Sequence, residues 1–206
     1  RHEIFPTDIP GVWLKYKNSI GVGAYLNRTI QEIYEPGSVM KPVTMAIALD
    51  QGEVSPNDEY LDKDPVKIDD THYIYNNDKK FYGRVNMTNC IEFSINTCMT
   101  MISEKLGRKL FQRMIERFGF GRVTNIELED ELSGEVFPWR KWPYALLLTA
   151  SFGQGISSTP LQMVTSFSAL GNGGKLMQPS IIDSVVHPDG TVEKREPKMV
   201  DQVITE

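Results

Sequence analysis

Ser38 and Lys41, a serine hydroxyl and a lysine amine three residues apart, are the pair in this sequence best placed to do chemistry. A serine is a weak nucleophile until a base takes its proton. Three residues along a helix, a lysine lies on the same face as the serine. In a dry pocket its amine gives up charge more easily, because burial disfavours the cation. The turn Tyr34-Glu35-Pro36-Gly37 comes first. Ser38 then reads as a helix N-cap. Backbone N–H groups at such a helix start suit a developing oxyanion. The ordinary reading of Ser-x-x-Lys is a capping serine and a surface lysine. Against it, this is the only such spacing in the chain, it comes after a Pro-Gly turn, and it opens an apolar helix.

A second polar set is Ser94-Ile95-Asn96, 56 residues after Ser38. A second hydroxyl can relay a proton between an amine and a leaving group. An amide both donates and accepts, so it can hold a lysine and a substrate carbonyl. Taken alone, the segment is an ordinary cap between helices. The other Ser-x-Asn, Ser55-Pro56-Asn57, reads as a plain turn, only 17 residues past Ser38. The expected geometry has three parts. Ser38 and Lys41 lie within hydrogen-bond reach, Ser94 and Asn96 face the same cavity, and Asn96 approaches Lys41 or Ser38.

The elements that must position these residues are mostly helical. Residues 1–28 read as loops with at most one short strand. The Ser38 helix runs to about Gln51 and stops at Gly52, with Pro42 in its first turn, where a missing N–H costs little. It is apolar on all sides, the pattern of a buried helix. Residues 66–85 suggest a short surface hairpin. Thr88 is placed to cap a helix ending near Phe93. The next begins near Thr97 and is stopped by Gly107. Leu110, Phe111, Met114, Ile115 and Phe118 mark one face of a further helix ended by Gly119. Residues 127–135 read as an acidic, solvated loop, and Trp142 to Thr149 as helix. Phe152-Gly153-Gln154-Gly155 reads as a break before a helix capped by Thr159 with Pro160 at its first position. Gly171-Asn172-Gly173-Gly174 ends that helix. Pro188-Asp189-Gly190 joins the strands of a hairpin. The expected class is α+β and predominantly helical, with too few strands for a complete central sheet.

The chain has 206 residues, 40% of them hydrophobic and 24% charged, which suits one domain or a large part of one. Its formal net charge of −5 argues against nucleic acid, which rewards clustered Lys and Arg. Trp139-Arg140-Lys141-Trp142 resembles a base-stacking patch, but with no wider basic surface it reads as an amphipathic loop entering a helix. Were Cys90 and Cys98 joined by one helix, they would stand about 12 Å apart along its axis. A disulfide needs Cα atoms within about 7 Å. Both therefore read as buried apolar residues, with a disulfide only if the helix breaks between them. The two give no zinc pattern, and no metal or organic cofactor is expected. No apolar run reaches the roughly 18 residues of a membrane span, and no stretch of these residues is expected to act as a signal peptide. Because the sequence begins at Arg1, a fragment is expected.

The segment Tyr34-Glu35-Pro36-Gly37-Ser38-Val39-Met40-Lys41-Pro42 resembles the nucleophile motif of class B penicillin-binding proteins, the monofunctional peptidoglycan transpeptidases. Ser94-Ile95-Asn96 matches that family's second motif. Phe152-Gly153-Gln154-Gly155, Ser158-Thr159-Pro160-Leu161-Gln162 and the stretch from Gly171 to Pro179 are similar to the family's segments downstream of the second motif, in the same order. The likeness spans roughly residues 27 to 190. It implies the penicillin-binding/β-lactamase-like fold and a serine acyl-enzyme that crosslinks stem peptides. Ser38 would be the nucleophile, Lys41 the base, Ser94 the proton relay and Asn96 the group that positions substrate. It further implies acylation by β-lactams, an extracytoplasmic site of action behind a membrane anchor, and partnership with a SEDS-type glycosyltransferase. The third motif, Lys-Thr/Ser-Gly on a sheet-edge strand, does not occur in the 206 residues. The family's opening strands ahead of Asn27 are not recognisable either. Residues 1–206 are thus expected to form a partial transpeptidase domain that turns over poorly alone. A D,D-carboxypeptidase or β-lactamase-like hydrolase is the enzymatic alternative. A non-catalytic scaffold domain is the other, and the four retained polar residues argue against it.

Overall fold

The structure, a computed structural model, describes residues 2–6, 13–17 and 26–205. It opens with an antiparallel pair, β1 (His2–Pro6) and β2 (Trp13–Lys17), where at most one strand was expected. The loops expected around this pair lie outside the described residues. A short α1 (Arg28–Gln31) leads to a 3-10 turn over Gly37–Met40 and then α2 (Lys41–Asp50). Next come β3 (Glu59–Asp62), β4 (Val66–Lys67), β5 (Tyr73–Ile74) and β6 (Gly83–Asn86). The helices α3 (Met87–Glu92), α4 (Asn96–Arg117), α5 (Tyr144–Ala150) and α6 (Pro160–Gly171) come after them. The chain closes with β7 (Lys175–Met177), β8 (Ser184–Val186), β9 (Val192–Lys194) and β10 (Met199–Gln202). Among the described residues every sheet is two-stranded: β1–β2, β3–β6, β4–β5, β7–β10 and β8–β9. The class is α+β with the weight in the helices, as the sequence implied.

Helix α2 is the centre of the molecule. Met40, Val43, Ile47 and Ala48 are fully buried and share one core with Cys98, Met99 and Ile102 of α4 and with Leu148 and Ala150 of α5. Burying each of the larger ones, such as Val43, Ile47 and Leu148, stabilises the fold by about 1.5–3 kcal/mol. The helix is thereby fixed from both sides, and the 3-10 turn ahead of it presents Ser38 and Val39 at the molecular surface.

Local chemistry sets the ends of the other helices. Thr159 caps α6 through a capping box with Gln162, and Pro160 sits where its missing N–H is harmless. Asn86, not Thr88, caps α3 and makes the reciprocal box with Asn89. Gly107 does interrupt the helix as expected: its backbone leaves helical geometry, so α4 is two helical segments that meet at this residue. At φ 69° and ψ 157° it makes the kink between them, a conformation that glycine adopts readily. The acidic stretch is a loop with no buried residue, as expected, and two of its carboxylates also tie it to neighbouring segments. Glu131 accepts from the Thr124 N–H and hydroxyl and the Asn125 N–H, and Glu127 accepts from Ser180 and the Ile181 N–H.

The cysteines correct the sequence reading. Cys90 and Cys98 form a disulfide with Cα atoms 6.0 Å apart. The chain leaves α3 at Phe93 and re-enters helix at Asn96, so the 12 Å of a continuous helix never develops. The three residues of this break, Phe93, Ser94 and Ile95, include the first two of the Ser94-Ile95-Asn96 motif, and its third opens α4. Trp142 is likewise a core residue. It is 1% exposed, edge-on to Phe111, and donates its indole N–H to the Phe137 carbonyl. Arg140 lies over the Trp139 ring. With one tryptophan in the core and the other covered by its neighbour, the segment is an amphipathic entry to α5 and not a base-stacking surface.

Candidate active site

Ser38 stands in the 3-10 turn ahead of α2 and is exposed, while Lys41 begins α2 and is only 2% exposed. Ser38 is therefore not an N-cap, since the turn continues into the helix with no side-chain cap. Pro42 comes next, at a position whose N–H would be unpaired in any case. The turn is also held from outside. Gly37 donates its N–H to the Gly153 carbonyl at 2.9 Å, Glu35 accepts from the Gly155 N–H at 2.9 Å, and Tyr34 bridges Ser158. Gly153 has φ 78°, and a Cβ there would fall 2.3 Å from the Gly37 carbonyl oxygen and 2.5 Å from its nitrogen. Only glycine allows this approach. The Phe152-Gly153-Gln154-Gly155 break is thus the support of the nucleophile turn.

The Lys41 ammonium donates to the Ser94 hydroxyl at 2.8 Å and to the Ser94 carbonyl at 2.6 Å. Among the described residues it makes no hydrogen bond to Ser38, contrary to expectation. Burial lowers the Lys41 pKa from 10.5 to about 8, because desolvation disfavours the cation. Near neutral pH a usable fraction of the amine is therefore unprotonated. Ser94 holds its place in a left-handed conformation, φ 53°, which few non-glycine residues adopt. That geometry aims both its carbonyl and its hydroxyl at Lys41.

Asn96 donates its amide to the Tyr75 carbonyl at 3.0 Å and does not reach Lys41 or Ser38. It nevertheless lines the same open cleft as Ser38, Asn76, Ser94 and Gln154. Ser55 and Asn57 lie in a surface turn closed by Asp58, as their spacing suggested. The four candidate residues thus converge on one cleft, with Lys41 joined to it through Ser94. Sequence reasoning missed Gly153 and Glu35 as support residues, although both sit inside the motifs named above. Asn76, in the cleft wall, and Asp62, behind it, carry no local signature. The only hint is that Asp62 shares a strand face with the half-buried Tyr60.

Comparison with known proteins agrees with this geometry. The sequence family described as the penicillin-binding protein transpeptidase domain matches residues 12–206, so the likeness extends on both sides of the 27–190 span and includes the β2 segment ahead of Asn27. Stage V sporulation protein D of Bacillus subtilis is 33% identical over 183 residues, covering 87% of this chain and 28% of that protein. Peptidoglycan D,D-transpeptidase FtsI of Escherichia coli is 32% identical over 165 residues, covering 80% and 27%. The chain thus spans under a third of the length of these curated relatives. The crystal structure of penicillin-binding protein 3 from Mycobacterium tuberculosis, complexed with aztreonam, superposes with a TM-score of 0.79 at 27% identity, over 87% of this chain and 40% of that one. Motif order, cleft geometry and these matches agree: the chain belongs to the penicillin-binding protein transpeptidase domain family.

Proposed function

We propose that this chain carries the nucleophile half of a peptidoglycan D,D-transpeptidase, with Ser38, Lys41, Ser94 and Asn96 as its working residues. The observation that carries the reading is the buried Lys41 amine hydrogen-bonded to Ser94 at the edge of a cleft into which Ser38 opens. In the proposed reaction the neutral Lys41 amine takes the Ser38 proton, and Ser38 Oγ bonds to the carbonyl carbon of the penultimate D-alanine. The tetrahedral intermediate collapses with cleavage of the peptide C–N bond. Ser94 passes the proton from Lys41 to the departing D-alanine nitrogen. An amine of a second stem peptide then attacks the ester, forming the crosslink and returning the proton to Ser38. Asn96 holds substrate at the cleft wall. β-Lactams would enter the same path and stop at the ester. As a family expectation, the reaction takes place on the extracytoplasmic face, beside a SEDS-type polymerase. Lys-Thr/Ser-Gly, the motif expected to bind the substrate carboxylate, is not among these 206 residues.

The test is release of D-alanine from a D-alanyl-D-alanine stem peptide by the full-length protein. Ser38→Ala should abolish release, and Lys41→Arg, which keeps a permanent cation, should not support it. Undiminished release by Ser38→Ala would overturn the assignment.

A further inference from the structure

Behind the cleft lies a carboxylate that the reaction above does not use. Asp62, at the end of β3, is completely buried and has no cation beside it among the described residues. Three donors converge on it. The Thr97 hydroxyl donates to one oxygen at 2.6 Å, and the Asn76 amide and the Tyr82 N–H each donate to the other at 2.9 Å. An isolated buried carboxylate is costly, and hydrogen bonds that satisfy it offset that cost. The placement adds a further favourable field, because Thr97 is in the first turn of α4, where the helix dipole is positive.

Asp62 also orders its neighbours. Asn76 is 3% exposed and uses every polar atom: its amide also donates to the Lys80 carbonyl, and its oxygen accepts the Thr97 N–H at 3.3 Å. That N–H is one of the four a helix start leaves unpaired, and Ile95, the residue before α4, offers no side-chain cap. Asn76 therefore acts as a cap for α4 from 21 residues away. Thr97 is bonded directly to Asn96, and Asn76 lines the cleft itself. Fixing Thr97 fixes the trajectory of Ser94-Ile95-Asn96 from its C-terminal side, as Lys41 fixes it from within.

We propose that Asp62 is a positioning residue for acyl transfer, which through Thr97 and Asn76 locks the Ser94–Asn96 turn and the 76–82 lip of the cleft in register with Ser38. It touches no reacting atom. The proposal rests on the acyl-transfer reading above.

The experiment is stopped-flow acylation of the full-length protein by a fluorescent penicillin, resolving binding from the acylation step. Variants are compared at a temperature where circular dichroism shows each to be folded. Asp62→Asn keeps the shape but removes the charge and one acceptor. Thr97→Val removes the hydroxyl at equal volume, and Thr97→Ser restores it. The acylation step should slow on the order of 10- to 100-fold in Asp62→Asn and Thr97→Val, with initial binding little changed. Thr97→Ser should stay near the parent rate. Should Asp62→Asn fail to fold, the Thr97 pair decides by the same criterion. Parent-like acylation in Thr97→Val or in folded Asp62→Asn, even with a lowered melting temperature, would reduce Asp62 to a purely structural role and overturn the proposal. A parent protein that takes up no penicillin would remove the acyl-transfer reading itself, and this inference with it.

Discussion

At the scale of single residues, function turns on the protonation of Lys41. Burial lowers its pKa to about 8, so raising pH through 8 converts ammonium to free amine. The sign comes from the role: a general base works only when unprotonated. The rate of acylation should rise about tenfold per pH unit below 8 and level off above it. A pH–rate profile with penicillin in excess checks this. A rate that falls as pH rises through 8 would assign the ammonium, not the amine, to the working state. Sequence reasoning reached these residues because each motif is compact. It did not reach their mutual contacts. The left-handed Ser94 directs Lys41 toward Ser94 instead of Ser38, and the Asn96 amide goes to the Tyr75 carbonyl. Neither choice is written in local spacing.

At the scale of elements, two supports of the site invite tests. Gly153→Ala would place a methyl group 2.3 Å from the Gly37 carbonyl oxygen, in a backbone conformation that L-residues rarely adopt. The nucleophile turn must shift. Acylation should slow on the order of 100-fold, the cost of about 1 Å of misplacement, and stopped-flow labelling reads it directly. The Cys90–Cys98 disulfide closes a short loop around the Ser94 motif, with a sequence separation of 8. Loop-closure entropy for that length amounts to about 2–3 kcal/mol. The Cys90→Ala/Cys98→Ala pair should lose about that much stability in denaturant unfolding. Legibility at this scale tracked locality. The Thr159-Pro160 helix start and the Pro188-Asp189-Gly190 hairpin were readable because cap and turn residues act on their own neighbours. The disulfide was not: two helices were expected around Phe93–Thr97, but the direction in which the chain re-enters α4, which brings the two cysteines together, is not written in local spacing. Asp62 was not, because its partners lie 14, 20 and 35 residues away.

For the whole molecule, the central claim is that a buried helix delivers one serine to a cleft edged by a second hydroxyl and an amide. The overall class was legible because apolar helices outnumber strand signals. The β1–β2 pair was not, because the mixed composition before Asn27 offers no alternation strong enough to mark two strands. The claim is tested most directly by exposing the full-length protein to a β-lactam and mapping the adduct by peptide mass spectrometry. With a penicillin as the β-lactam, ring opening loses no atoms, so a Ser38 acyl-enzyme requires the entire mass of the drug on the peptide that contains Ser38, and no adduct in Ser38→Ala. An adduct on any other residue, or one that survives Ser38→Ala, would contradict it.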